Sequence, residues 1–152
     1  MNGGELSATP KNPNFADDVK ASFARQGMLT LIGAELVDVA PGCVAIELPY
    51  SPHVTQQKGF FHGGAIGMIA DAAGGYAALT LIEQGNDVLT VSYTINFLRP
   101  AEGQRLRAVG EVVRAGTSVT VAKVEVLCIA DGVAKPCAVL QETLMRVPPP
   151  QA

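Results

Sequence analysis

The 152-residue sequence contains no tryptophan, and aromatic residues make up only 5% of it. It carries two histidines and three cysteines, and charged residues amount to 16%. Each scarcity removes a class of function. With few aromatic side chains for base stacking, and a formal net charge of −3 instead of a basic surface, no nucleic-acid partner is expected. Cys43, Cys128 and Cys137 are odd in number and widely spaced. With no CxxC and no Cys/His cluster, they argue against a zinc site and a disulfide framework, and read as reduced thiols packed like small apolar residues. No metal and no cofactor are expected. The opening Met1-Asn2-Gly3-Gly4-Glu5 shows no basic region followed by an apolar run, so no secretory leader is expected and the protein is read as cytoplasmic.

What is abundant is apolar side chains, at 48%, and glycine, with 16 residues. The length suits one domain with a sizeable core. Residues 15–147 are expected to form it, between a loose tail at 1–14 and a short tail at 148–152. Gly63 to Ile82 is long enough to cross a bilayer. Glycine and alanine insert weakly, however, and Asp71 sits near the middle, where lipid burial of a carboxylate costs about 2.5–3.5 kcal/mol. A helix buried in protein is the better reading, and no membrane span is expected.

The pattern along the chain supports this. Asn14, with Asp17 and Asp18 behind it, is placed to cap a short helix ending near Gly27. Strands are expected at 31–40 and 43–50 around the Pro41-Gly42 turn, then the long helix at 63–84, stopped by Gly85-Asn86-Asp87. Four strands follow, at 88–98, 106–113, 118–130 and 133–147, the last two joined by Asp131-Gly132. In the first of these, Leu89, Val91, Tyr93, Ile95 and Phe97 alternate with Thr90, Ser92, Thr94 and Asn96. A helix apolar nearly all round needs cover on most of its circumference, which a curved antiparallel sheet of about six strands supplies.

The stretch Gln56-Gln57-Lys58-Gly59-Phe60-Phe61-His62-Gly63-Gly64-Ala65, with Asp71 beyond it, concentrates the chemistry. Gly63 and Gly64 open the helix, where backbone N–H groups are unpaired and the dipole is positive. Lacking side chains, they admit a ligand oxygen, as an oxyanion hole requires. No G-K-[ST] follows, so this is not a phosphate loop. Positions three and four from Asp71 are Gly67, Met68, Gly74 and Gly75. Glycines cost a helix about 0.8–1.0 kcal/mol each, so something must pack closely there: a second helix, a partner subunit or a ligand. Asp71 stands about 12 Å along the axis from the helix start. Two antiparallel copies would bring one subunit's Gly63 beside the other's Asp71. Taken singly, each feature has a plainer reading: His62 as a capping histidine, Gln56 as loop surface, Asp71 as a solvated face residue.

Gln56, His62-Gly63-Gly64-Ala65 and Asp71, with Asn96-Phe97-Leu98-Arg99-Pro100-Ala101 further on, resemble the hotdog-fold acyl-CoA thioesterases, in particular their PaaI-like branch. The resemblance spans roughly residues 30–147. It implies an α+β hotdog fold, a curved antiparallel sheet of five to six strands around one long helix. It implies Asp71 as nucleophile or general base, the Gly63 N–H of the neighbouring subunit as oxyanion donor, and Gln56 positioning water or the thioester. His62 would order the loop or touch the carbonyl, and a water-positioning hydroxyl falls near Thr90. Gly75 stands where another branch carries a hydroxyl. Gly64, Arg99, Arg114 and Ser118 are the expected substrate contacts, with Lys123 a further candidate for the phosphates of coenzyme A.

Thiolate is a good leaving group, so one carboxylate suffices without a Ser-His-Asp triad, and no GxSxG is present. The leading expectation is a homo-oligomeric acyl-CoA thioesterase, a dimer or a tetramer built as a dimer of dimers. A hydratase or dehydratase acting on acyl thioesters, and a non-catalytic acyl-CoA-binding protein, are the alternatives.

Overall fold

The computed structural model describes residues 8–149. Helices α1 (Phe15–Ala24) and α2 (Gly27–Ile32) lead into β1 (Glu35–Ala40) and β2 (Cys43–Pro49). Helix α3 (Gly63–Leu79) follows, then β3 (Asp87–Phe97), β4 (Arg105–Ala115), β5 (Val119–Ala130) and β6 (Val133–Val147). All strands join one sheet in the order β1-β2-β4-β5-β6-β3, every pairing antiparallel. Helix α3 packs against five of them. This is the curved sheet around a single long helix that the hotdog resemblance implies.

Alternation explains the sheet's inner face. Val44, Ile46 and Leu48 of β2 and Leu106 and Ala108 of β4 are fully buried, and they meet Ile66, Ile69, Ala70 and Ala73 of α3. Each buried Leu, Ile or Val contributes about 1.5–3 kcal/mol. Small residues set the spacing between the layers. A Cβ on Gly110 would lie 2.5 Å from the Ala73 carbonyl, so glycine alone lets β4 come this near the helix backbone.

Two element boundaries depart from expectation. The apolar run at Met28–Ile32 belongs to α2, and Gly33, at φ 76°, turns the chain so that β1 starts at Glu35 instead of Leu31. A six-residue helix is too short for its period to be told from a strand's. Helix α3 stops at Leu79, five residues before Gln84. The Thr80 hydroxyl donates to the Ala77 carbonyl at 2.7 Å and accepts from the Gly42 N–H at 2.7 Å, which pins the helix end to the β1–β2 turn.

Residues 1–7 and 150–152, parts of the two expected tails, lie outside the described residues. Where the N-terminal stretch is described it is anchored, and it is not the loose tail expected. Lys11 pairs with Glu83 at 2.9 Å, and Asn12 is buried and donates to Asp18. Asn14 precedes α1 without making a side-chain cap. No described helix is long and apolar enough to cross a membrane.

Strand β3 holds the main surprise. Its register with β6 shifts between Thr90 and Ser92, leaving Val91 as an extra residue. Thr90 therefore stands opposite Leu144 while Tyr93, Ile95 and Phe97 stand opposite Glu142, Leu140 and Ala138. Thr90 shares the helix-facing side with Tyr93 and Ile95, against the unbroken alternation that put them on opposite faces.

Candidate active site

Asp71 lies in the middle of α3, half-buried, and its Oδ1 accepts a hydrogen bond from the Thr90 hydroxyl at 2.7 Å. The β3 bulge makes this contact possible, because without it the Thr90 side chain would point away from the helix. The glycines flanking Asp71 are occupied by the chain's own sheet. The Cβ position of Gly67 lies 3.6 Å from the Tyr93 hydroxyl, that of Gly74 lies 1.6 Å from Glu142 Oε1, and that of Gly75 lies 3.8 Å from Leu144. The close packing inferred from these glycines is thus supplied by β3 and β6.

A cavity of about 510 Å³ opens beside Asp71. Ala72, Gly75, Leu79, Leu89 and Leu144 form its apolar wall, with Ser22, Arg25 and Gln26 of the α1 region at its rim. Tyr76 holds that rim in place by accepting from Gln26 Nε2 at 2.7 Å and lying 3.3 Å from Ser22 Oγ. This volume is in the usual range for a small-molecule site.

The other half of the expected machinery lies at the N-terminus of α3. His62 is its N-cap, and its Nδ1 accepts from the Gly64 N–H at 2.8 Å. In the neutral ring this leaves Nε2–H to donate outward. The Gly63 N–H has no acceptor among the described residues. The Phe97 ring rests over Gly63, 3.1 Å from where a Cβ would be. Gln56, half-buried, starts the tight turn behind this end: its carbonyl accepts from Gly59 at 3.0 Å, and its side-chain oxygen accepts from the Lys58 N–H. The Thr55–Phe61 bridge and a His62 N–H bond to the Val54 carbonyl at 2.8 Å close the loop, bringing Gln56 towards His62.

The structure therefore gathers Asp71 with Thr90, and His62 with Gly63, Gly64 and the Gln56 loop, at two points eight positions apart on one helix. The basic candidates separate too. Arg99 follows β3 at the Phe97 end, beside a cavity of about 360 Å³ shared with Lys135. Arg114 and Ser118 lie at the far end of the long strands, level with Ser92 and Val88 respectively. Lys123 pairs with Glu111 at 2.9 Å. Cys128 and Cys137 are buried, and burial above all, with Cys128 beside it, pushes the Cys137 thiol up to about 12. Among the described residues no group of three His, Cys, Asp or Glu could hold a metal ion.

Sequence reading missed Glu142. Its signal was its parity: Ala138, Leu140, Glu142 and Leu144 share one face of β6. A carboxylate in phase with a buried apolar row was there to be noticed.

The family model of the thioesterase superfamily matches residues 58–135, just over half of the chain, from Lys58 through β5 to the start of β6. The chain belongs to the thioesterase superfamily. This thioesterase is similar in structure to a thioesterase family protein from Silicibacter pomeroyi, at 41% identity and TM-score 0.86, over 88% of this chain and 98% of that one. A Halobacterium salinarum protein named for a supposed esterase activity is 33% identical over 125 residues, 76% of this chain and 82% of its own. The 1,4-dihydroxy-2-naphthoyl-CoA hydrolase of Listeria monocytogenes is 27% identical, over 66% of this chain and 81% of its own. The hotdog fold is shared with the E. coli PaaI protein, at TM-score 0.77 and 20% identity over 90% of this chain and 96% of that one.

Proposed function

We propose that this thioesterase hydrolyses an aryl or medium- to long-chain acyl-CoA to the free acid and coenzyme A. The observation that carries the reading is Asp71, held by the Thr90 hydroxyl at 2.7 Å beside a cavity of about 510 Å³ with one apolar wall and a polar rim. A fixed carboxylate at the mouth of an acyl-sized space is what attack on a thioester carbonyl needs, directly or through a water. The CoA-thioester named for the Listeria relative supports the substrate class.

The carbonyl oxygen gains negative charge as the tetrahedral intermediate forms, and a free backbone N–H at a helix end stabilises it. Gly63 offers such a donor, but about 12 Å along the helix from its own Asp71. The reading therefore takes Gly63, with His62 and Gln56 beside it, from the partner subunit. Strand β3 supports this. Leu89, Val91, Tyr93, Phe97 and Leu98 on or just after it are 47–61% exposed, and its outer edge has no partner strand among the described residues. An exposed apolar sheet edge is a pairing template, and pairing two β3 edges antiparallel sets the two α3 helices antiparallel as well. A dimer of dimers, working in the cytoplasm, is the expected assembly. Gly64 and Arg99, with the more distant Arg114 and Ser118, are the proposed contacts for the remainder of the coenzyme.

The test is thiol release from a panel of acyl-CoAs, with molecular mass in solution measured in parallel. Release from at least one aryl or aliphatic thioester by a dimer or larger assembly is expected. Tight acyl-CoA binding without release would convert the reading to a binding protein, and an active monomer would remove the shared site.

A further inference from the structure

Strand β6 puts a carboxyl where its neighbours are all apolar. Its helix-facing row, Ala138, Leu140, Glu142 and Leu144, is at most 3% exposed. The Glu142 head fills the space left by Gly74, since a Cβ there would fall 1.6 Å from Oε1 and 2.8 Å from Cδ. Gly74 lies three positions after Asp71 on the same helix face. As a carboxylate, neither Glu142 oxygen would meet a hydrogen-bond donor among the described residues. Natural cores rarely leave such a group unmet, and a leucine there would cost the fold less. Burial first, and then the neighbouring Asp71 carboxyl, push Glu142 up to about 9, so it keeps its proton near neutral pH. Few titratable groups face it: Asp71 from α3 and Tyr93, its register partner on β3. Ala122 and Val124 of β5 and Gly110 of β4 bring none.

We propose that Glu142 is a positioning residue for Asp71, a buried protonated acid whose O–H donates to the Asp71 oxygen that the Thr90 hydroxyl leaves free. Two donors, one from β3 and one from β6, then hold the carboxylate in a single rotamer aimed at the cavity. No bond to Glu142 forms or breaks in the reaction, and its proton stays where it is. The inference rests on the reading of Asp71 as the reacting carboxylate.

The test pairs infrared spectroscopy with kinetics on the purified, assembled protein. Near neutral pH the wild type shows a protonated-carboxyl band that is absent in Glu142→Gln and shifted in Asp71→Asn. With the best acyl-CoA substrate, Glu142→Met lowers kcat about tenfold at unchanged KM, while Glu142→Gln, which keeps an N–H donor, recovers most of it. Wild-type kcat also falls as pH rises through about 9, and that fall is missing in Glu142→Gln. A band that does not move in Asp71→Asn, or equal kcat in the Met and Gln variants, overturns the proposal. Should Glu142→Met fail to fold, the infrared comparison decides alone. A band that shifts in a protein releasing no thiol from any substrate upholds the acid pair and overturns only the reading of the reaction.

Discussion

The N-terminus and the middle of α3 are built on different physical plans. At the N-terminus the proposed working group is a backbone N–H, His62, Gly63 and Gly64 are exposed or half-buried, and the Phe97 ring over Gly63 is itself half in solvent. In the middle the proposed working group is a side chain, that of Asp71, and three glycines let β3 and β6 close in around it. A backbone donor needs only a helix start and open space. A carboxylate needs neighbours that fix its rotamer and its charge, so its surroundings are packed and costly. The contrast is what the proposed reading builds on, in which the two regions meet only across two copies of the chain.

The largest test of the contrast is Asp71→Asn. It keeps the shape and the Thr90 bond, and the expected loss in kcat is about 10³-fold. The same change removes the charged acceptor of the proposed Glu142 O–H bond, so thermal unfolding near neutral pH should shift modestly downward. Retained activity would move the chemistry away from the middle of the helix.

Glycine substitutions separate the two regions by stability. Gly74→Ala drives a methyl into the buried Glu142 carboxyl and within 3.1 Å of Val124, and should cost about 1–3 kcal/mol. In a Glu142→Ala background the same change should be neutral or stabilising, because the Glu142 head is gone, Val124 gains the vacated space to shift into, and alanine favours helix. Gly63→Ala meets only the Phe97 ring, which has solvent to move into, so denaturant unfolding should register less than about 1 kcal/mol. Equal costs at the two positions would erase the distinction between a packed and an open region.

Acidity gives a finer test. The unfolded Glu142 carboxyl titrates at its ordinary 4.5 and the folded one near 9, so between these values the folded state holds the extra proton. The contribution of Glu142 to stability is therefore greatest below 4.5 and declines as pH rises through this window, its loss being complete above about 9. Tm measured across the window should fall less steeply in Glu142→Gln than in the wild type. Parallel slopes would place the proton elsewhere.

Much of this was legible in the residues themselves. Alternation in 43–50, 106–113 and 133–147 located strands because one face of each is buried, and the all-round apolarity of Gly63–Leu79 demanded a surrounding sheet. The His-Gly-Gly helix start and Asp71 marked the site by their chemistry. Short elements were less legible, since α2 spans fewer than two turns and its apolar run fits either period.

Composition and periodicity are local properties, and they located most of the elements and the candidate groups, while the His62-Gly63-Gly64-Ala65 and Asp71 motif carried the family resemblance. Which side of β3 faces the helix was decided only in three dimensions, because one extra residue at Val91 reverses the parity of everything before it. That reversal delivers the Thr90 hydroxyl to Asp71, and the pairing of β6 with β3 and β5 brings Glu142 over Gly74 from 68 positions further along the chain. Contacts of that range depend on register and layer spacing, which packing sets across the whole sheet at once.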